Sequence, residues 1–212
     1  MSEYDEQEEL EKLKAWWKNY GNALIFGVVL GAAVLFGYRY WTQYQEQRLQ
    51  DASTLYNQLI LEMHNKKTDA ARKTGESLVN GYSATPYAGM AGLLLARLDI
   101  DAGDAKTARA HLQWVIDHAK DPATVSAARL RLARLLIGSG EKDAALALLN
   151  VKDQAGFEGE YEELRGDIYA AEGKRDEARA AYREALKHLP AGSTYIPVLN
   201  MKLDDLGPGR AS

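Results

Sequence analysis

The chain has 212 residues, 46% of them apolar, with 26 Lys and Arg against 30 Asp and Glu and a formal net charge of −4. That acidic balance argues against nucleic acid as a partner, because binding phosphate requires a cationic face. There is no cysteine, which excludes disulfides, thiol catalysis, thiolate metal sites and a lipidated cysteine.

The first segment, residues 1–18, reads as a solvated cytoplasmic tail. It gathers Glu3, Asp5, Glu6, Glu8, Glu9 and Glu11 ahead of Leu10, Leu13, Trp16, Trp17 and Tyr20, which recur at helical spacing. This predicts a short amphipathic helix leading into a membrane, with its acids in the first turns where the helix dipole favours them.

Residues 19–41 form the second segment, a predicted transmembrane signal anchor. Asn19 to Tyr38 are uncharged, and the apolar run from Ala23 to Tyr38 is continuous. Twenty helical residues span roughly 30 Å, the thickness of a bilayer's hydrocarbon core. Trp16, Trp17 and Tyr20 on one side, and Tyr38, Arg39, Tyr40 and Trp41 on the other, match two interfacial belts with a snorkelling cation. A soluble core helix would keep a polar face. A cleaved signal peptide would have a short basic leader and a small-x-small cleavage site, and neither is present. Lys12, Lys14 and Lys18 precede the span, against Arg39 and Arg48 behind it, so the positive-inside rule favours a cytoplasmic N-terminus. Gly27 with Gly31, and Ala33 with Gly37, are small-xxx-small pairs that would let a second helix approach closely. Small residues are also simply common in spanning helices, and that alternative stays open.

The third segment, 42–206, is polar and helical, with a hairpin repeat. Turn glycines Gly103, Gly140 and Gly173 lie 37 and 33 residues apart. Seven places before them stand Ala96, Ala133 and Gly166. Five places after stand Ala108, Ala145 and Ala178, and nine after, Leu112, Leu149 and Tyr182. The glycine suits the turn between antiparallel helices, the small residues a close crossing, and the large residue the gap to the next hairpin. The 37-residue step implies a small insertion. The pattern resembles the tetratricopeptide repeat, of period about 34. Leu49–His64 with Asp69–Val79 reads as one more, degenerate hairpin, and Thr194–Leu206 as a terminal capping helix. The tail 207–212 is expected to be disordered. The predicted fold class is all-α, a single N-terminal transmembrane helix followed by tetratricopeptide-like hairpin repeats in an α-solenoid.

No catalytic constellation emerges. His64, His111, His118 and His188 are scattered, with His111 and His118 expected at the surface of a repeat helix. Asp99, Asp101 and Asp104 cluster at a helix–helix turn but fail the EF-hand pattern. Gly138-Ser139-Gly140 lacks the strand and third glycine of a dinucleotide loop. One pairing suggests binding instead. Arg97 and Arg134 occupy equivalent places in the first two repeats, one turn after Leu93 and Leu130, and the third repeat has Asp167 and Glu163 there. These positions would face a concave groove with basic and acidic ends. Plain surface pairing of the arginines with nearby acids is the competing reading.

The stretch from Tyr20-Gly21-Asn22-Ala23-Leu24 to Gly37-Tyr38-Arg39-Tyr40-Trp41, with Arg131-Leu132-Ala133-Arg134, Leu164-Arg165-Gly166-Asp167 and Lys202-Leu203, resembles the YfgM family of Gram-negative bacteria over nearly the whole chain. The tail sequence and a longer Gly-Pro extension depart from that family. The resemblance implies a single-pass type II protein of the inner membrane, its N-terminus cytoplasmic and its repeat domain periplasmic. It implies association with the SecYEG translocon and with a membrane-anchored, prolyl-isomerase-like periplasmic chaperone, and so with exported client proteins. It implies no catalytic residues and no cofactor. The expected function is an ancillary, membrane-anchored adaptor linking export to periplasmic chaperones. A purely structural envelope scaffold is the alternative, and an enzyme is disfavoured by the missing nucleophile, base and metal sets.

Overall fold

A computed structural model describes residues 3–207, and every regular element among them is an α-helix. The chain divides into two compact units, Met1–Gln50 and Asp51–Ser212. Helix α1 (Glu3–His64) supplies the first unit and the opening helix of the second. The second continues through α2 (Thr68–Gly81), α3 (Pro86–Asp101), α4 (Ala105–His118), α5 (Pro122–Gly138), α6 (Lys142–Leu149), α7 (Glu158–Ala171), α8 (Arg175–His188) and α9 (Ile196–Asp205).

In the first unit α1 carries the stretch that is long and apolar enough to cross a membrane, and none of that apolar window is buried. A soluble helix this apolar would need a partner face, and the described residues supply none. Phe26, Phe36 and Tyr40 are each about three-quarters exposed (76%, 74% and 75%). Lys12 pairs with Glu8 one turn away at 2.9 Å, a solvated contact in the tail.

The second unit is built from hairpins with one recurring turn. Gly103, Gly140 and Gly173 sit at φ +79°, +82° and +75°. Each closes the same double bond: Asp104 N–H to Asp99 C=O at 2.8 Å, Glu141 to Leu136 at 2.9 Å, Lys174 to Tyr169 at 2.9 Å, with the glycine N–H reaching the residue three back at 3.0 Å each time. This is the Schellman ending, in which a left-handed residue satisfies the helix's last carbonyls. The degenerate first hairpin uses the same bonds, Lys67 to Glu62 at 2.9 Å and Lys66 to Met63 at 3.0 Å, with Lys66 itself at φ +58°. The next helix then begins at an aspartate where the sequence provides one. Asp104 Oδ1 accepts from Thr107 N–H at 3.0 Å. At the start of α5, Asp121 Oδ2 accepts from Thr124 N–H at 2.8 Å.

The small and large positions of the repeat lie where the spacing predicts. Ala96, Ala133, Ala108, Ala145, Ala178, Leu112 and Leu149 are fully buried and Tyr182 nearly so. A Cβ at Gly166 would overlap the Tyr182 ring, so glycine there is a packing requirement of the α7–α8 crossing. The core runs as one cluster through α3 to α7, flanked by a cluster around Leu59, Leu78 and Leu95 and a third around Tyr182, Leu199 and Leu206. The longer first step is taken up mostly by helix length, 17 residues in α5 against 14 in α7, rather than by an inserted loop. Helix α6 has only 8 residues, and its end is held by Arg165, which donates to the Leu149 carbonyl at 2.7 Å. The capping helix is present as α9. The expected tail disorder falls, Gly207 excepted, outside the described residues.

Candidate interaction face of the repeat unit

Helix α3 packs on α5, and α5 on α7, while α4, α6 and α8 pack back against these first helices. The first helices therefore form an inner layer. The residues that follow the small positions, Arg97, Arg134 and Asp167, repeat along it in register.

The two arginines stay open. The Arg97 side chain is 73% exposed, with a loose 3.8 Å contact to Asp101. Arg134 is exposed and has no carboxylate within ion-pair distance among the described residues, and neither has Arg131 one turn before it. Burial, followed by repulsion from Arg134 and Arg97, holds the Arg131 guanidinium below its ordinary proton affinity. Beside Arg134 lies a cleft of about 420 Å³ whose walls include Glu160, Leu189, Pro190 and Leu199.

The expected acidic end is closed. Lys202 of α9 donates to Glu163 Oε1 at 2.6 Å and to both oxygens of Asp167 at 2.7 and 2.9 Å. The Tyr195 hydroxyl donates to the same Glu163 oxygen at 2.5 Å, and the Tyr182 hydroxyl to Asp167 at 2.7 Å. Lys202 also lies 5.6 Å from the Tyr182 ring centroid, in cation–π range. Burial pulls the Lys202 amine down, but the bonds and charges of Asp167 and Glu163 outweigh it, and the net shift is upward. Burial, reinforced by the bond to Asp167, drives the Tyr182 hydroxyl far above its ordinary value. Glu163 and Asp167 thus anchor the capping helix. The apolar floor is also less available than the spacing suggests. Leu130 is 3% exposed inside the core, and Leu93 is half-buried against the same cluster.

A second polar network departs from expectation. Asp99 is fully buried. Arg72 donates to its Oδ1, and His111 Nδ1 lies 2.6 Å from its Oδ2. His111 Nε2 lies 3.1 Å from Glu76 Oε1. His111 is therefore not a surface residue but part of a tie joining α2, α3 and α4. Among the described residues no group of three or more His, Asp or Glu is placed to hold a metal ion.

On α1, Trp16, Trp17, Tyr20, Tyr38, Tyr40 and Trp41 are exposed, as is Arg39. Gly27, Gly31 and Gly37 meet no atom within 4 Å of where a Cβ would stand, and Ala33 is exposed.

A candidate span followed by stacked helical hairpins, with ion pairs that serve packing, defines a tetratricopeptide-like scaffold. The tetratricopeptide repeat-like domain family matches residues 14–208. The chain is similar to several proteins that bear the name "Ancillary SecYEG translocon subunit". The protein of Neisseria gonorrhoeae is 32% identical, covering 95% of this chain and 97% of its own. That of Haemophilus influenzae is 31% identical, covering 85% and 88%. That of Escherichia coli is 30% identical, covering 95% and 97%. The chain belongs to this family of tetratricopeptide-like translocon subunits.

Proposed function

We infer that this chain is a membrane-anchored adaptor of the SecYEG translocon, with no catalytic role. Residues 19–41 anchor it in the inner membrane, residues 1–18 stay in the cytoplasm, and 42–206 form a periplasmic repeat domain. That domain binds a membrane-anchored, prolyl-isomerase-like chaperone and passes exported clients to it. The observation behind this reading is the combination of one apolar window in α1, none of it buried, with a repeat unit matched end to end by relatives named as translocon subunits. Tethering a binding surface beside the exit of a translocon raises its effective concentration there without any new contact. Stacked repeats offer the extended surface such an adaptor needs. The small-residue pairs of α1 and its aromatic belts supply the packing and interfacial anchoring a translocon neighbour would meet in lipid.

Co-purification from native membranes in mild detergent, with photocrosslinking from position 97 during active export, tests the reading. Recovery of SecYEG together with a prolyl-isomerase-like chaperone is expected. Recovery of neither would overturn it, and capture of one folded partner with no exporting chain would reduce the protein to a structural scaffold.

A further inference from the structure

We propose that the inner face of α3 and α5 is a receptor for an acidic, extended segment of a protein partner, read by Arg97, Arg131 and Arg134. The inference rests on the adaptor reading and specifies the chemistry of what it grips. The chain as a whole is acidic, with a net charge of −4, yet three guanidinium groups gather on two adjacent inner helices. Natural surfaces usually intersperse opposite charges. Here Asp101 touches Arg97 only loosely at 3.8 Å, and Arg131 and Arg134 have no carboxylate partner among the described residues. Planar guanidinium forks suit carboxylates, and are more weakly hydrated than an ammonium.

The contrast with the third repeat sharpens this. There the equivalent acids are already consumed in cis by Lys202. The inner layer therefore presents unpaired positive charge along α3 and α5, reaching as far as the cleft that Arg134 shares with Tyr195 and Leu199. The cleft beside Arg134, with Leu189, Pro190 and Leu199 in its walls, has room for an apolar side chain next to the charged ones. Glu160 and Glu163 also line that cleft, Glu163 already bonded to Tyr195 and Lys202, so the segment places an apolar rather than an acidic residue there. A flat anionic membrane surface cannot use a cleft of this kind. The favoured partner is thus a protein segment carrying several Asp or Glu.

The test uses the full-length chain in detergent micelles and fluorescence anisotropy. The probe is a fluorescein-labelled peptide of Glu, Ser and Gly, compared with its Lys-for-Glu counterpart. R97Q/R131Q/R134Q removes the face. K106Q/R175Q/R183Q removes equal charge from exposed positions elsewhere, and R97Q/R134Q, both at exposed positions, serves if the triple variant does not fold. The glutamate peptide should bind, weaken with salt, and lose about tenfold in affinity in the face variants but under about twofold in the control. Equal losses in both sets, equal binding of the lysine peptide, or arginine-dependent binding of phosphatidylglycerol vesicles without peptide binding would each overturn the proposal. SecYEG co-purification is scored on the same variants. Its absence in the wild type with peptide binding intact sinks the adaptor reading alone, and the reverse result sinks this inference alone.

Discussion

Lys202 holds two carboxylates and a phenol in place, so its removal leaves charge without a partner in a poorly solvated site. Glu163 has only 5% of its side chain exposed and Lys202 has 24%. Truncating one member of a buried pair costs about 3–5 kcal/mol, and partial exposure puts K202A nearer about 2–3 kcal/mol. Urea unfolding followed by circular dichroism measures it. The sign of the pH dependence follows from the raised amine. Its contribution is complete below the ordinary lysine value of about 10.4 and fades as pH rises through the folded value. Melting temperature should therefore respond to K202M through the neutral range and lose that response only in strong alkali. Asp99 is likewise a buried partner shared by two other side chains. D99A strands Arg72 and His111 between helices and should cost about 3 kcal/mol. At this scale the sequence was half legible. Arg97 and Arg134 stood out because the repeat register aligns them. Lys202 did not, because it closes on Glu163 and Asp167 from 39 and 35 residues away. His111 looked like a surface residue because its partner Asp99 stands where the other two repeats have Leu136 and Tyr169, so the spacing gave no sign of a buried carboxylate.

The helix-ending turn is the unit that the fold repeats. Where the left-handed residue is glycine, G140A should cost about 1–2 kcal/mol, since a Cβ in that conformation meets the following carbonyl. Where it is Lys66, the strain is already present. K66G should stabilise by about 0.5–1 kcal/mol, the relief of that contact less the entropy glycine adds to the unfolded chain. Thermal unfolding of the two variants, expected to shift in opposite directions, checks both. The first hairpin was hard to read for the same reason. Lys66 hides the turn, and small and large positions are exchanged, with Leu59 seven places before it and Gly75 nine after, where Leu95 packs. Only Ala71, five places on and fully buried, keeps the pattern. The capping helix makes a further prediction. Ending the chain before Ile196 removes Leu199, Leu203 and Leu206 from the Tyr182 cluster. Such a truncation should lower the melting temperature by several degrees and raise binding of a hydrophobic dye.

For the molecule as a whole, the claim that organises everything else is topological. In the proposed arrangement the unpartnered apolar stretch of α1 lies in lipid, with the acids of the tail and those of the repeats on opposite sides of the membrane. Periodicity and belts made the span and the hairpins legible, because both are set by local spacing. Orientation follows from the cations flanking the span and is read directly by labelling. The chain contains no cysteine, so one introduced thiol reports one position. A cysteine at exposed Arg183, labelled in spheroplasts with a membrane-impermeant maleimide, should react at once, while a cysteine at exposed Glu9 should react only after the membrane is permeabilised. Labelling at position 9 and protection at position 183 would place the repeats in the cytoplasm and contradict the account.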